Sequence, residues 1–541
     1  MRKRSLALVV GAVAIVASLV IGPGASAKSE RAQAGQVVFI HDQEPPTMRN
    51  NWEDNNLYAT SLVVNRIFEG CQYWQAPASL VPRLCESKPR ITKQRPLTVR
   101  FKYKNAARWS DGRQVTCNDF KATWKVFVNP RFNVVSRSGW DEIGRVSCRG
   151  KNATVVFKKP YADWESVVSS SIYPSHVIKG QDMNRMFNDS IPVSNGPFLF
   201  ERWQKGVQLS VRKNPGWRPR MKLDRIVFRY ILDTNSRFQA LKANEGQVME
   251  PQPQLQIAEF LQDRSFQVQR RVGFTFEHID IQFGGQGHPA LKKKFVREAL
   301  IRGMNRPQVA SALFRTIAPG IPALQSLIYK PFEKQYAKNF GQYAFNQRRA
   351  IQLLRQGGCT GGPAAPSAGN NDIYECPGVG KLSFRFFTTT GNQFRALTFE
   401  IIQRQLKSIG IELVPRFQTG GTLFGTTLPS SNWDLIMFTY LQVPTSKITS
   451  KDLYACRGDQ NYGLSCDGKL TRILNRVPRV VNNQKREALL GQADKRIAKQ
   501  LISIPMFARP SFFITRNSVK GTKLNLTLEG STWNASVWQA G

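Results

Sequence analysis

The chain has 541 residues, more than one hydrophobic core supports, so two to four domains are expected. A composition of 41% hydrophobic and 21% charged residues excludes the disordered class. The outlying quantity is charge: 77 Lys and Arg against 37 Asp and Glu leave +40.

Arg2, Lys3 and Arg4 precede an apolar run from Leu6 to Ile21, and Ala25-Ser26-Ala27 supplies a small-residue cleavage site. This is the layout of a secretory signal peptide over residues 1–27, and an uncleaved membrane anchor is the alternative. The first cysteine, Cys71, lies far from that site, which excludes a lipoprotein anchor. Cleavage leaves 541 − 27 = 514 residues and a charge of +40 − 3 = +37. The mature protein is therefore expected outside the cytoplasm, periplasmic or extracellular and associated with membrane or cell wall. Eight cysteines fall in four close pairs: Cys71/Cys85, Cys117/Cys148, Cys359/Cys376 and Cys456/Cys466. An even count in an exported chain favours disulfides, although spacing does not prove connectivity. Sequential pairing closes four short loops, each worth about 2–4 kcal/mol.

Residues 36–40 read as a strand and 57–68 as a helix, with Leu62, Val63, Ile67 and Phe68 on one side. Residues 97–103 alternate as a half-buried strand, and Thr116 to Asn118 can cap a helix over 119–128. A strand at 153–157 follows. Ser194-Asn195-Gly196-Pro197 marks a turn before a hairpin of 198–203 and 207–212. Strands are expected at 226–231, 274–283, 382–387 and 411–415, and helices at 236–243, 292–304 and 486–501. Phe394, Leu397, Ile401 and Leu406 line a further helix that Gly410 stops, and 504–507 starts a return segment. The Gly- and Pro-rich stretch 359–380 reads as a disulfide-tied loop. Strand–helix–strand–strand order indicates an α/β fold.

One run organises the second half. Residues 433–444, opened by Trp433-Asp434 and closed by Pro444, read as a buried strand carrying the hydroxyls of Thr439 and Tyr440. A buried hydroxyl without a partner costs about 1–3 kcal/mol, so each should meet backbone, water or a ligand. A core strand with locally satisfied hydroxyls is the plainer alternative.

Enzymatic and nucleotide signatures fail one by one. Gly285-x-Gly287-x-x-Ala290 lacks the acidic residue that a ribose requires, and no phosphate loop, Gly-x-Ser-x-Gly or His-Glu-x-x-His occurs. His41, His176, His278 and His288 have no metal spacing. Glu277 and His278 are strand neighbours and point to opposite faces. The basic residues are dispersed without a nucleic-acid motif, so no nucleic-acid partner is expected. Attraction to anionic cell-wall polymer or lipid head groups suits an exported chain better, with adaptation to acidic or saline surroundings as another reading.

Several motifs together resemble the dipeptide/oligopeptide/nickel-binding family of solute-binding proteins for ABC transporters, family 5. They are Trp109-Ser110-Asp111-Gly112 with Val115-Thr116 and Asp119; Asn195-Gly196-Pro197-Phe198; Arg212-Lys213-Asn214-Pro215 with Trp217; Val296-Arg297-Glu298-Ala299-Leu300 with Asn305-Arg306; Gln405-Leu406 through Gly410-Ile411; Trp433-Asp434; and Ile504-Pro505. The resemblance implies a two-lobed periplasmic-binding-protein-like fold, class II type, with an extra inserted α/β subdomain. It places lobe I at 35–70, 190–270 and 505–541, the inserted part at 71–189 and lobe II at 272–504. It implies a monomeric receptor, not an enzyme and without a cofactor or metal. Such a receptor captures a peptide or other small organic ligand between the lobes and delivers it to an ABC permease; a ligand-sensing receptor or a basic wall-associated binding protein is the alternative. Carried over by position, the cleft strand is Phe438-Thr439-Tyr440-Leu441, faced by Asn51, Trp52 and Glu53, with Asn461 beyond it. Peptide-binding members carry an acidic residue just after this strand for the ligand's amino group. Here Gln442 stands near that place. A buried ammonium without a carboxylate partner is costly, so the family pattern and ordinary peptide binding part company at this point unless Glu53 or Asp459 takes the role.

Overall fold

The computed structural model describes residues 35–541 apart from 54, 56, 77, 78 and 441, so the leader at 1–27 and Leu441 lie outside the described residues. Alternation gives the strand Leu97–Lys102, which buries Leu97, Val99 and Phe101 and exposes Arg100. It is the second strand of a four-stranded antiparallel sheet that also contains Arg90–Gln94, Asn152–Phe157 and Ile143–Arg149. The helix Cys117–Val128 covers that sheet, its Phe120 ring edge-on to Phe101 at 5.4 Å. Thr116 and Asp119 form a reciprocal capping box, with the Thr116 amide donating to Asp119 Oδ2 at 2.8 Å.

Ten strands build the main sheet, in the order Glu412–Gln418, Ser383–Thr389, Leu435–Tyr440, Phe266–Ile281, Ser503–Arg516, Val248–Met249, Gln36–His41, Arg225–Tyr230, Gln208–Lys213 and Phe198–Gln204. Phe266–Ile281 and Ser503–Arg516 are long enough to serve both ends of it. They pair antiparallel over 266–272 with 516–510, lose register, and pair again from Phe276 opposite Ala508. One apolar cluster lies on the first side of that break, running from Val37 and Phe39 through the four-stranded sheet to Trp538. A second spans Phe276, Leu300, Phe386, Ile402 and Ile504 on the other side and reaches back across the break to Phe260, Phe266 and Phe512. The fold is α/β and two-lobed.

The four cysteine pairs form disulfides in sequential order, Cys71–Cys85, Cys117–Cys148, Cys359–Cys376 and Cys456–Cys466. The helix expected over 57–68 covers only Tyr58–Val64. Beyond it the chain continues in tight turns, the Arg66 amide donating to the Val63 carbonyl at 3.0 Å, while the fully buried Arg66 side chain pairs with Glu69 and Glu529. The next turn is pinned by Asn195, whose Oδ1 accepts from the Glu69 amide at 2.7 Å. A Cβ on neighbouring Gly196 would sit 2.5 Å from the Arg66 carbonyl oxygen. Gly196→Ala is therefore expected to destabilise the first lobe by about 1–3 kcal/mol, measured by denaturant unfolding.

Between the lobes runs a polar seam. Glu142 receives both terminal nitrogens of Arg479. The Ala162 amide donates to the Pro478 carbonyl at 2.7 Å, Ser138 Oγ donates to Asp452 Oδ1 at 3.2 Å, and Ser166 Oγ lies 3.1 Å from Thr445 Oγ1. The lobes thus stand closed on one another.

Candidate functional site

The strand Leu435–Tyr440 pairs with the first crossing strand, Thr439 opposite Glu277 and Phe438 opposite His278. The two-residue period of a strand sends these pairs to opposite faces of the sheet. Glu277 and His278 therefore do not act together.

On one face Glu277 is 4% exposed and meets Arg395, whose Nε donates to Oε1 at 2.7 Å. Arg395 Nη1 donates to Thr389 Oγ1 at 2.7 Å and Nη2 to Thr439 Oγ1 at 2.9 Å. The Thr439 hydroxyl donates to Glu277 Oε2 and also accepts from Arg509 Nη1 at 3.3 Å. The hydroxyl is thus fully used within the protein. Burial alone would raise the Glu277 pKa, but Arg395, Thr439 and Arg509 together hold it below the usual carboxylate range. Arg395 is aimed from the first turn of the helix Gln393–Lys407, where Asn392 Oδ1 caps its amide at 3.0 Å.

On the other face the His278 ring is wholly buried, stacked on Tyr440 at 4.3 Å and edge-on to Phe438 at 4.5 Å. Its Nε2 comes within 3.3 Å of Asp280 Oδ2 without hydrogen-bond alignment. The Tyr440 hydroxyl donates to the same oxygen at 3.4 Å. Burial, then the Asp280 charge, pushes the Tyr440 phenol far above its ordinary pKa, so it remains a donor.

The first-lobe candidates are divided. Asn51 is exposed with φ 70°, and its carbonyl accepts from the Val135 amide at 3.0 Å. Trp52 is 1% exposed and belongs to the lobe core, its Nε1 donating to Asn184 Oδ1 at 3.2 Å and its ring against Phe127 and Tyr173. Glu53 is exposed and close enough to Tyr462 that, after burial, its charge is the next cause raising that phenol's pKa. Gln43 also reaches across, its Nε2 lying where a Cβ on Gly420 would be at 3.4 Å. Gln442 is buried just beyond the strand. Asn461 is committed to its own loop: Nδ2 donates to the carbonyls of Ala455 at 2.8 Å and Ser465 at 2.7 Å, inside the Cys456–Cys466 ring.

The sequence reading missed Arg395 and Arg509. Each had a signal. Arg395 is a cation in the first turn of a helix, where the dipole disfavours it unless an acid compensates. Arg509 is the lone charge in the apolar run from Ile504 to Ile514. A cavity of about 20 Å³ adjoins them, lined also by Glu277, Gln252, Asn392 and Phe507. Among the described residues, no three His, Cys, Asp or Glu converge as metal ligands, and no helix is long and apolar enough to cross a membrane.

Residues 79–461 match the family described as bacterial extracellular solute-binding proteins, family 5 Middle. The chain belongs to that family. Family 5 proteins are the binding components of ABC importers, and the chain is a solute-binding protein, not an enzyme. It is 24% identical over 445 residues to the oligopeptide-binding protein OppA of Mycobacterium bovis, covering 79% of this chain and 72% of the relative. Among solved structures it superposes on the periplasmic EDTA-binding protein EppA with a TM-score of 0.84 at 20% identity, covering 94% of this chain and 97% of the other. It superposes on AppA of Bacillus subtilis in complex with a nonapeptide with a TM-score of 0.82 at 18% identity, covering 95% and 100%. These family 5 likenesses establish the two-lobed fold.

Proposed function

We propose that this family 5 protein is an exported receptor that captures a peptide or peptide-like small organic solute between its lobes and delivers it to a membrane ABC permease. The observation that carries the reading is the closed seam beside a polar cluster on the two crossing strands. Hinge closure around a ligand buries groups of this kind from both sides. Kinship with an oligopeptide-binding protein supports a peptide, while likeness to an EDTA-binding protein shows that the fold also accommodates other polar solutes.

Lobe I takes 35–70, 190–270 and 505–541, with the insertion at 71–189 and lobe II at 272–504. The strand segment Phe438, Thr439 and Tyr440, with Gln442 beyond it, supplies the lobe II wall, through its backbone where a side chain turns to the far face, and Asn51 and Glu53 the lobe I wall. Trp52 and Asn461 hold those walls in shape from behind. The receptor works as a monomer, and its high positive charge, +37 once the leader is cleaved, gives loose, salt-sensitive association with anionic wall polymer or lipid head groups.

A thermal-shift screen with a peptide library, sugars and amines tests the reading. A true ligand at a hundredfold excess over its Kd should stabilise by about 2.7 kcal/mol. Absence of any peptide response well above micromolar concentration removes the peptide version.

A further inference from the structure

We propose that the solute presents an anionic group, a carboxylate, to the guanidinium of Arg509 at the crossing strands. This rests on the receptor reading above and specifies the chemistry of its ligand.

The contact cluster holds two guanidiniums, Arg395 and Arg509, against one carboxylate, Glu277. Glu277 is already engaged by Arg395 and by the Thr439 hydroxyl. Arg509 receives only the edge of that arrangement, a 3.3 Å bond from Nη1 to Thr439, and its buried Nε–H has no partner. Glu277 acts on it through its charge, opposed by that of Arg395, and the first-lobe acids Asp42 and Glu250 add their fields. Glu250 is itself held by the Tyr58 hydroxyl, at 2.8 Å and 3.0 Å, and by Ser531. The half-buried Arg509 guanidinium thus keeps a buried Nε–H that no protein acceptor meets.

The surroundings favour an anion as well. The 15-residue helix Gln393–Lys407 directs its positive end toward the cavity. Two amides from opposite lobes line it, Asn392 Nδ2 donating to Gln252 Oε1 at 3.3 Å. At about 20 Å³ the space exceeds what one water needs. A planar guanidinium with free N–H donors matches a carboxylate geometrically. An ammonium would meet two cations and an occupied acid.

The test follows the thermal unfolding midpoint of the purified protein with sodium formate, succinate, and N-acetyl-triglycine as acid and as amide. Sodium chloride at equal ionic strength is the control. Saturable stabilisation by the carboxylates but not the amide supports the proposal. Arg509→Met should weaken that response about 10- to 100-fold. Without ligand the variant should lose little stability, because Glu277 keeps Arg395 and the Thr439 hydroxyl as hydrogen-bond partners. Arg509→Lys keeps the charge without the fork and should respond weakly, which guards against a misfolded methionine variant. A carboxylate response no larger than that of chloride overturns the proposal, as does a full response in Arg509→Met. A variant that loses much of its ligand-free stability shows that Arg509 is a structural partner of the cluster, and overturns it too. Ligand-induced closure by small-angle scattering separates the two readings. Closure on a library peptide that ignores Arg509→Met sinks the anion proposal alone, and absence of closure with every probe sinks the receptor reading.

Discussion

Glu277→Gln is expected to destabilise the protein by about 3–5 kcal/mol, the usual cost of stripping one partner from a buried ion pair. The amide preserves shape and leaves Arg395, 7% exposed, facing Arg509 with no negative charge between them. With one amide oxygen in place of two carboxylate oxygens, either Arg395 Nε or the Thr439 hydroxyl loses its acceptor. The pH dependence has a definite sign. Glu277 is held below its ordinary range in the fold, so its contribution is complete above an unfolded pKa of about 4.3 and disappears as pH falls through the folded value. Denaturant unfolding at pH 7 should show the full loss, and the variant and parent should converge in strong acid. A difference under about 1 kcal/mol at pH 7 would mean that the pair adds nothing beyond its desolvation cost.

Asp163 should act in the opposite direction. It is buried at the seam, and burial, against hydrogen bonds from Ser166 and Thr445, pushes its pKa up to about 7. Across the seam Asp452 is pushed up to about 6, again chiefly by burial. The groups acting on Asp163 are Arg486, which favours its charge, and Glu165, which opposes it. A carboxyl whose pKa is raised in the fold stabilises most below its unfolded value, near 3.9, and loses that contribution as pH rises through about 7. Asp163→Asn keeps the acceptor that Ser166 uses and cannot ionise. Relative to the parent it should gain about 2–4 kcal/mol at pH 8, a difference that vanishes near pH 4. Midpoints collected from pH 4 to pH 8 check this. Parallel curves for variant and parent would place the pH response elsewhere.

Where the structure follows local rules, the sequence was readable. Alternation marked Leu97–Lys102, cap residues at Thr116 to Asn118 marked the helix Cys117–Val128 to within two residues of its start, and the exported context with four close cysteine pairs marked the disulfides. The two crossing strands were read short, at 274–283 and 504–507. Gln267, Gln269, Arg270 and Arg271 interrupt the apolar pattern of one, and Arg509 and Pro510 that of the other. In the helix Gln393–Lys407 the apolar face was set slightly off. Leu397 and Ile401 are half-buried, while the polar Arg395 and Thr398 are buried. The strand bearing Thr439 and Tyr440 was recognisable, but its ionic partners were not. Glu277 and Arg395 are 118 positions apart, and no local period tells which acid meets which base.

The break between the crossing strands has a mechanical consequence. Backbone ladders stiffen both halves of the ribbon, and between Val272 and Phe276 the pairing lapses. Gly273 sits there with Leu526 packed where a Cβ would be, 2.9 Å away. A ribbon clamped at both ends and unladdered in the middle yields most easily in torsion, while sliding would tear either ladder. Movement of one lobe against the other then reduces to a single angular coordinate. On the proposed receptor reading, solutes of different length and charge would register on the outer surface only as different settings of that angle.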